Sequence, residues 1–415
     1  MTNDDGIDDT AQVTKPAPSD EGAVERSETE GETTPRIVKL GDVATIRRDV
    51  VDPGEVDATT TYLGLEDIER GGRILQYRHV ADSRLTSSKF TFSKTDLLYG
   101  KLRPNLGKIA KPECDGICST DILPIAPGES LHRDFLGYYL SQPRMVAFAA
   151  SRTSGANLPR ISPKTLLQIP VPLPPLVEQC RIVSILDRAD AIRTKRRQVL
   201  AAYDALPRSL FAEMFGGLKA EKRVSDVVER MRTGPFGSDL HHDEFVDSGI
   251  SVLGLDNVVG NTFRWVQRRY ITPEKYESLK RYTVYPGDVL VSIMGTAGRC
   301  VVVPDDIPTA INTKHICAIT VNRDVLNPVF LRAVFLWHRE ARIHLLRSVK
   351  GSIMDGLNMG IIKKMPVILP PLALQREFAE RVAAIEASRR KVERALALDD
   401  ELFASLQSRA FRGEL

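Results

Sequence analysis

The sequence predicts an α+β fold built twice: two similar α+β domains, each followed by a long helix with a coiled-coil stripe. The first observation behind this is an ungapped repeat. At a constant offset of 196 residues, Leu173, Pro174, Pro175 and Leu176 return as Leu369, Pro370, Pro371 and Leu372. Gln179 returns as Gln375, Arg193 as Arg389, Lys195 as Lys391, and at the far end Ser209, Leu210, Phe215 and Gly217 return as Ser405, Leu406, Phe411 and Gly413. The second observation is the three-four spacing of apolar residues inside both copies, the pattern of a helix that buries one narrow seam. The third is a weaker repeat upstream of each helix. Leu63, Gly64 and Leu65 answer Leu253, Gly254 and Leu255; Asp96 and Leu98 answer Asp288 and Leu290; Pro112 answers Pro304 and Gly155 answers Gly351. Its offsets drift, as insertions in surface loops would make them.

Taken in order, residues 1–35 hold ten acidic residues against Lys15 and Arg26, with almost no large apolar side chain. Such a tail cannot offset its ordering entropy and is expected to be disordered. Residues 36–172 read as the first α+β domain, with strand candidates at Tyr62–Ile68, Phe90–Phe92, Asp96–Leu102 and Asp121–Pro127, and helices near Phe135–Tyr139 and Met145–Ala150. The first long helix is assigned to 173–217, its seam being Ile182, Ile185, Ala189, Ile192, Val199, Tyr203, Leu206 and Leu210, interrupted by Arg196. Twin prolines suit its first turn, where a missing N–H costs nothing, and glycines suit its end. Pro207 removes a helical hydrogen bond, so a bend or break is predicted near Ala205–Pro207.

Residues 218–368 repeat the first domain, with strands at Ser251–Val258, Gly287–Gly295 and His315–Val321 and one helix over Phe330–Leu346. The second long helix, 369–415, has Phe378, Val382, Ile385, Val392, Leu396, Phe403 and Leu406 as its seam, broken by Arg389 and Asp399. Neither helix is apolar all round, so neither is a membrane span.

Length and a 42% hydrophobic content suit two or three ordinary globular domains. Five scattered cysteines and no recognisable signal peptide point to a reducing cytoplasm. The net charge of +3 hides a division: the tail is formally −8, leaving +11 on residues 36–415, a balance that favours a polyanionic partner.

Catalytic motifs are missing: no phosphate loop, no dinucleotide fingerprint, no zinc-protease helix and no amino-methylating tetrapeptide. Pro304 and Asp305 followed by Asn312, Thr313 and Lys314 resemble a nuclease motif, but the acid needed two before the lysine is absent. Cys114 and Cys118 lack companions at zinc-site spacing. His241 to Glu244 reads as a polar loop, and Asp399, Asp400 and Glu401 as a solvated helix face. No metal or cofactor is expected on this chain.

Nucleic-acid-binding character is present instead. Lys89, Lys101, Arg103 and Lys108 are interleaved with Phe90, Phe92 and Tyr99, and Arg268 and Arg269 lie beside Trp265 and Tyr270. Such cations neutralise phosphates. Amides, hydroxyls and guanidinium groups at loop tips read bases. The candidates are Asn105, Ser119, Thr120, Asp121 and Asn157 in the first domain and Thr296, Arg299, Asn312, Thr313 and Lys314 in the second.

The helix segments LPPLVEQCRIVSILDRADAIRTKRRQVL with SLFAEMFG, and LPPLALQREFAERVAAIEASRRKVE with FRGEL, resemble the spacer regions of specificity subunits of type I restriction–modification systems. TGPFGSDL leading to GISVLGLDNV, and STDILPI, resemble stretches of that family's target recognition domains. The resemblance implies two target recognition domains and an antiparallel pair of spacer helices related by a pseudo-two-fold axis. It also implies a non-catalytic role: each domain reads half of a bipartite double-stranded DNA target, while helices of roughly 54 Å (~1.5 Å per residue) set the gap. Modification subunits with S-adenosylmethionine, and endonuclease subunits using ATP and magnesium, are the implied partners. A stand-alone nuclease and a coiled-coil scaffold without a DNA role are the alternatives.

Overall fold

The structure, a computed structural model, describes residues 36–295, 297–350 and 356–415; the acidic tail lies outside them. It forms two compact units, one running to Val183 and taking in Arg409–Leu415, the other comprising Ser184–Ser408.

In the first unit an antiparallel sheet runs in the order Ala44–Ile46, Ile122–Pro127, Leu97–Gly100, Ile109–Ala110. A second sheet runs Val50–Val51, Lys89–Phe92, Gly116–Cys118, Thr61–Leu63, Arg78–His79, with Gly116–Cys118 parallel to Thr61–Leu63. Arg36–Lys39 pairs with Pro170–Leu173 in a separate ribbon.

The second unit has the same plan. Its first sheet runs Val228–Thr233, Ile316–Val321, Val289–Ser292, Cys300–Val302. Its second runs Thr283–Val284, Ala310–Asn312, Ile250–Leu253, Tyr270–Ile271, again with one parallel pair, Ile250–Leu253 beside Ala310–Asn312. Lys222–Arg223 and Pro366–Val367 form the ribbon. Among the described residues only Val50–Val51 lacks a counterpart.

Three side-chain devices recur with the strands. Buried Asp96 accepts from Ser93 N at 2.8 Å and pairs with Arg47; buried Asp288 accepts from Tyr285 N at 2.8 Å and pairs with Arg232. Asp67 takes the amide of Gly64, and Asn257 that of Gly254, both at 2.8 Å. This side-chain competition for backbone donors ends the strands early. The strands predicted over Tyr62–Ile68 and Ser251–Val258 therefore stop at Leu63 and Leu253 and give way to 3-10 turns. Finally, Gln179 accepts from His132 N and donates to Ser130 O and Pro174 O, while Gln375 accepts from Asn327 N and donates to Val325 O and Pro370 O. Each glutamine ties the base of a long helix to the cap of a domain helix.

Phe330–Leu346 is two helices rather than one. Pro328–Trp337, capped by Asn327, ends where His338 turns to extended backbone, and Arg339–Lys350 follows. The corner lets Phe330, Leu331, Val334 and Phe335 on one helix and Ala341 and Leu345 on the other enter the same core.

The first long helix runs unbroken from Leu176 to Phe215, through Pro207. The break expected there does not form. Phe211 and Phe215, just beyond the proline, are locked into the second unit's core against Phe330 and Phe378. One missing hydrogen bond does not outweigh that packing. In the first unit Phe411 packs on Phe135 with ring centroids 5.0 Å apart, the counterpart of Phe215 on Phe330 at 4.9 Å.

Within the second unit the long helices pair antiparallel, Arg193 with Asp400, Asp204 with Arg389 and Phe211 with Phe378. The shielded stripe of the first helix runs Ile182, Leu186, Ala189, Arg193, Arg196, Leu200, Tyr203, Pro207, Leu210 and Met214, with Ile185 half-buried beside it. The predicted seam residues Ile192, Val199 and Leu206 lie one position off this register and are 52%, 44% and 43% exposed. Arginine stems cover the seam in their place. The Arg193 guanidinium sits over Phe403, 4.1 Å from the ring centre, and Arg196 pairs with Asp399. On the second helix Phe378, Val382, Ile385, Val392, Leu396, Phe403 and Leu406 are all buried or half-buried.

Candidate nucleic-acid interface

In each unit three loops converge beyond the ends of the sheet strands. In the first unit they are the loop after Leu97–Gly100, the turn entering Ile122–Pro127, and the segment before the helix Pro163–Leu167. Lys101 N donates to Asp121 O at 2.9 Å, Ile161 N to Lys101 O at 3.1 Å and Arg103 N to Pro159 O at 2.8 Å. In the second unit Ile293 N donates to His315 O at 2.9 Å and Leu357 N to Ile293 O at 2.7 Å. The bridge of Leu102 with Arg160 answers that of Met294 with Gly356.

At the first unit's loops, Asp121 accepts from Arg160 through both carboxylate oxygens, at 2.9 and 3.3 Å, and Lys101 Nζ stands 4.0 Å away. The pairing raises the Arg160 pKa and fixes its guanidinium plane. Arg103, Asn105, Thr120 and Asn157 are exposed around this pair, and Ser119 is half-buried. Lys108 is tied down, donating to Leu65 O at 2.8 Å. Arg152, stacked on Phe148 with its guanidinium 3.4 Å from the ring centre, adds an exposed cation from the same segment.

At the second unit's loops Arg299 and Lys314 are exposed and Thr313 is half-buried. Arg299 shares with Asn261, Trp337 and Arg342 the lining of a cleft of about 370 Å³. Burial, with the Lys314 charge beside it, pushes the His315 pKa down. Arg268 is exposed over Trp265, whereas Arg269 is committed to Asp256 at 2.9 Å and Gln267 at 3.0 Å. Thr296 lies outside the described residues.

Three candidates are buried. Lys89 donates to the carbonyl and hydroxyl of Ser87, and burial lowers its pKa. Tyr99 lies in an inner strand of its sheet, where burial pushes its phenol up. Asn312 donates to Ile316 O at 2.8 Å from inside the sheet. All three sit on strands, where period-two alternation turns a polar residue inward as readily as outward.

Arg152, Arg160 and His315 also stand at these loops and are not among the sequence candidates. Arg160 could have been found from its place three residues after Asn157; His315 carried no signal beyond adjacency to Lys314. His242–Glu244 is a 3-10 turn that follows His241, and its Glu244 pairs with Lys275 at 2.6 Å. The groups gathered at the first loop cluster are guanidinium, ammonium, amide and hydroxyl, and those exposed at the second are guanidinium and ammonium; all donate to phosphates or base edges. No helix among the described residues is long and apolar enough to cross a membrane.

Residues 36–202 match the family described as "Type I restriction modification DNA specificity domain". The EcoDI specificity subunit of Escherichia coli is 33% identical over 160 residues, covering 37% of this chain and 36% of that protein. The EcoBI specificity subunit of Escherichia coli is 25% identical over 311 residues, covering 67% of this chain and 65% of that protein. The matched stretches thus span about a third and just under two thirds of these relatives. Among solved structures, the S subunit of a type I system from M. genitalium has a TM-score of 0.56 at 12% identity, covering 91% of this chain and 96% of that one. A chain from work on complex assembly and conformational transition of the type I R-M system has a TM-score of 0.59 at 20% identity, covering 92% and 99%. These two likenesses concern the fold.

Proposed function

We propose, for a chain that belongs to the family of type I restriction–modification specificity subunits, that it reads double-stranded DNA sequence on behalf of catalytic partners. The observation that carries this reading is the duplicated three-loop cluster, which presents cations twice on one scaffold with different side chains, Arg103 and Arg160 with exposed Asn105, Thr120 and Asn157 in the first unit and Arg299 and Lys314 in the second. A shared backbone with divergent loop tips reads two different half-sites by one geometry. Residues 36–172 and 218–368 are the two target recognition domains.

The long helices, 40 and 39 residues, serve as the ruler that sets the unread gap between half-sites. Their outward side docks the modification subunits. Ile192, Val199 and Leu206 repeat every seven residues outside the mutual seam, and Leu398 and Leu402 are exposed on the second helix. A second apolar stripe at heptad spacing is what a further helix would bury. The chain itself catalyses no reaction. S-adenosylmethionine belongs to the modification subunits and ATP with magnesium to the endonuclease subunits, and the assembly works in the cytoplasm.

The test is a domain exchange. Replacing residues 36–172 with the corresponding domain of another family member should change one half of the methylated sequence and leave the other half intact, read by mapping methylated adenines in host DNA. A change in both halves, or in neither, would overturn the modular reading.

A further inference from the structure

Among the described residues only Arg103 and Asn261 combine a side chain with positive φ. Arg103 sits at φ 50°, ψ 60°, in the left-handed region that residues with a Cβ avoid. Pro104 sharpens the conflict, because a proline pushes the residue before it toward extended backbone. The loop nevertheless enforces the turn. Arg103 N donates to Pro159 O at 2.8 Å, its carbonyl accepts from Leu106 N at 2.9 Å, and Pro104 is buried beneath it.

The internal repeat supplies the control. Residues Lys101 and Leu102 make the backbone contacts that Ile293 and Met294 make in the second unit. The next position is therefore Arg103 in one copy and Gly295 in the other. Gly295 has φ 73°, a conformation glycine adopts without steric cost. Both copies need a left-handed residue at this turn, and one of them fills it with arginine against the backbone's preference. Internal structure does not explain that choice. The Arg103 side chain is exposed and has no hydrogen bond or ion pair among the described residues, whereas its neighbours Lys101 and Arg160 share Asp121.

We infer that Arg103 is a DNA-phosphate contact of the first recognition domain, an inference that rests on the DNA-reading function proposed above. A guanidinium with no partner to orient it suits a phosphate, which accepts from many directions. Reading a base edge requires the fork to be held in plane, as Asp121 holds Arg160.

The experiment measures the full-length chain and its Arg103→Gly, Arg103→Asn and Arg103→Lys variants by fluorescence anisotropy, on a random duplex and on the mapped target, across a salt series. Glycine and asparagine both accept the left-handed turn, so the thermal midpoints of those variants should stay close to that of the unaltered chain. Their affinity should fall equally on both duplexes. The slope of log affinity against log salt should become shallower by about 0.9, the share of one phosphate. Arg103→Lys should keep most of the slope. Unchanged affinity and slope in the first two variants would overturn the assignment, as would a loss confined to the mapped target or a collapse of both midpoints. If the unaltered chain showed no salt-weakened DNA binding, the DNA-reading function would itself fail, and this inference with it.

Discussion

Arg389 donates from Nε to Oδ1 of Asp204 at 2.7 Å, and this pair is the image of Arg193 and Asp400 under the 196-residue repeat, where the same atoms meet at 2.6 Å. One ion pair made twice, with the roles of the helices exchanged, is what a two-fold relation between two copies of one helix requires. The register of the helix pair is thereby fixed by charge as well as by the phenylalanines. Both pairs are partly open to solvent, so each contributes modestly. Arg389→Ala and Asp204→Ala should each lower stability by less than about 1 kcal/mol. A double-mutant cycle in urea should give a coupling of about 0.2–1 kcal/mol that shrinks with added salt. Zero coupling at low salt would show that the contact does not set the register.

The doubled architecture was legible in the sequence because the repeat is ungapped through the helices, and periodicity needs only spacing. The seam register of the first helix was not. Reading apolar residues alone selected Ile192, Val199 and Leu206, whereas Arg193 and Arg196 hold the seam through their stems and their partners on the other helix. A charged residue's place in a seam depends on which charge faces it, and that information lies some 200 residues away. Pro207 misled for a related reason: its local cost is visible in sequence, but the anchoring of Phe211 and Phe215 is not. At the loops, residue type identified exposed cations such as Arg103 and Lys314. It could not separate them from Lys89 and Asn312, whose orientation depends on strand register.

The two buried aspartates should behave differently when removed. Asp288 and Arg232 are both buried, and burial alone would push the Arg232 pKa down, with Asp288 opposing that effect. Asp288→Ala leaves a guanidinium uncompensated in the core and should cost about 3–5 kcal/mol. Asp96 is equally buried, but its partner Arg47 is 42% exposed on its side chain and can turn to water. Asp96→Ala should therefore cost distinctly less. Chemical denaturation of both variants checks the order, and equal losses would refute it.

The seam and the outer stripe make opposite predictions. Phe378→Ala opens a cavity among Phe211, Phe215 and Phe330 and should cost about 3–5 kcal/mol. Val199→Ser and Leu206→Ser change exposed positions and should move stability by no more than about 0.5 kcal/mol each. Together they should weaken co-purification with the modification subunit. Retained assembly would place the docking surface elsewhere.

Pro207→Ala restores a backbone donor inside a helix that is already continuous. It should raise the thermal midpoint, with a gain below the ~3 kcal/mol assigned to an interior proline, because the half-buried ring also loses contacts in the seam. A lowered midpoint would mean that the ring's packing dominates.

His315 gives a pH dependence of known sign. Burial is the main cause holding its pKa below the ordinary 6.5, with Lys314 adding to it. Unfolding restores the ordinary value, so the unfolded chain binds the proton more tightly and stability rises with pH across this window. The contribution should be fully present above about pH 6.5 and lost as pH falls through the folded value. His315→Gln removes the titration, so its thermal midpoint should fall less than that of the unaltered chain between pH 7.5 and pH 5.5. Identical falls in the two proteins would assign the pH dependence to other groups.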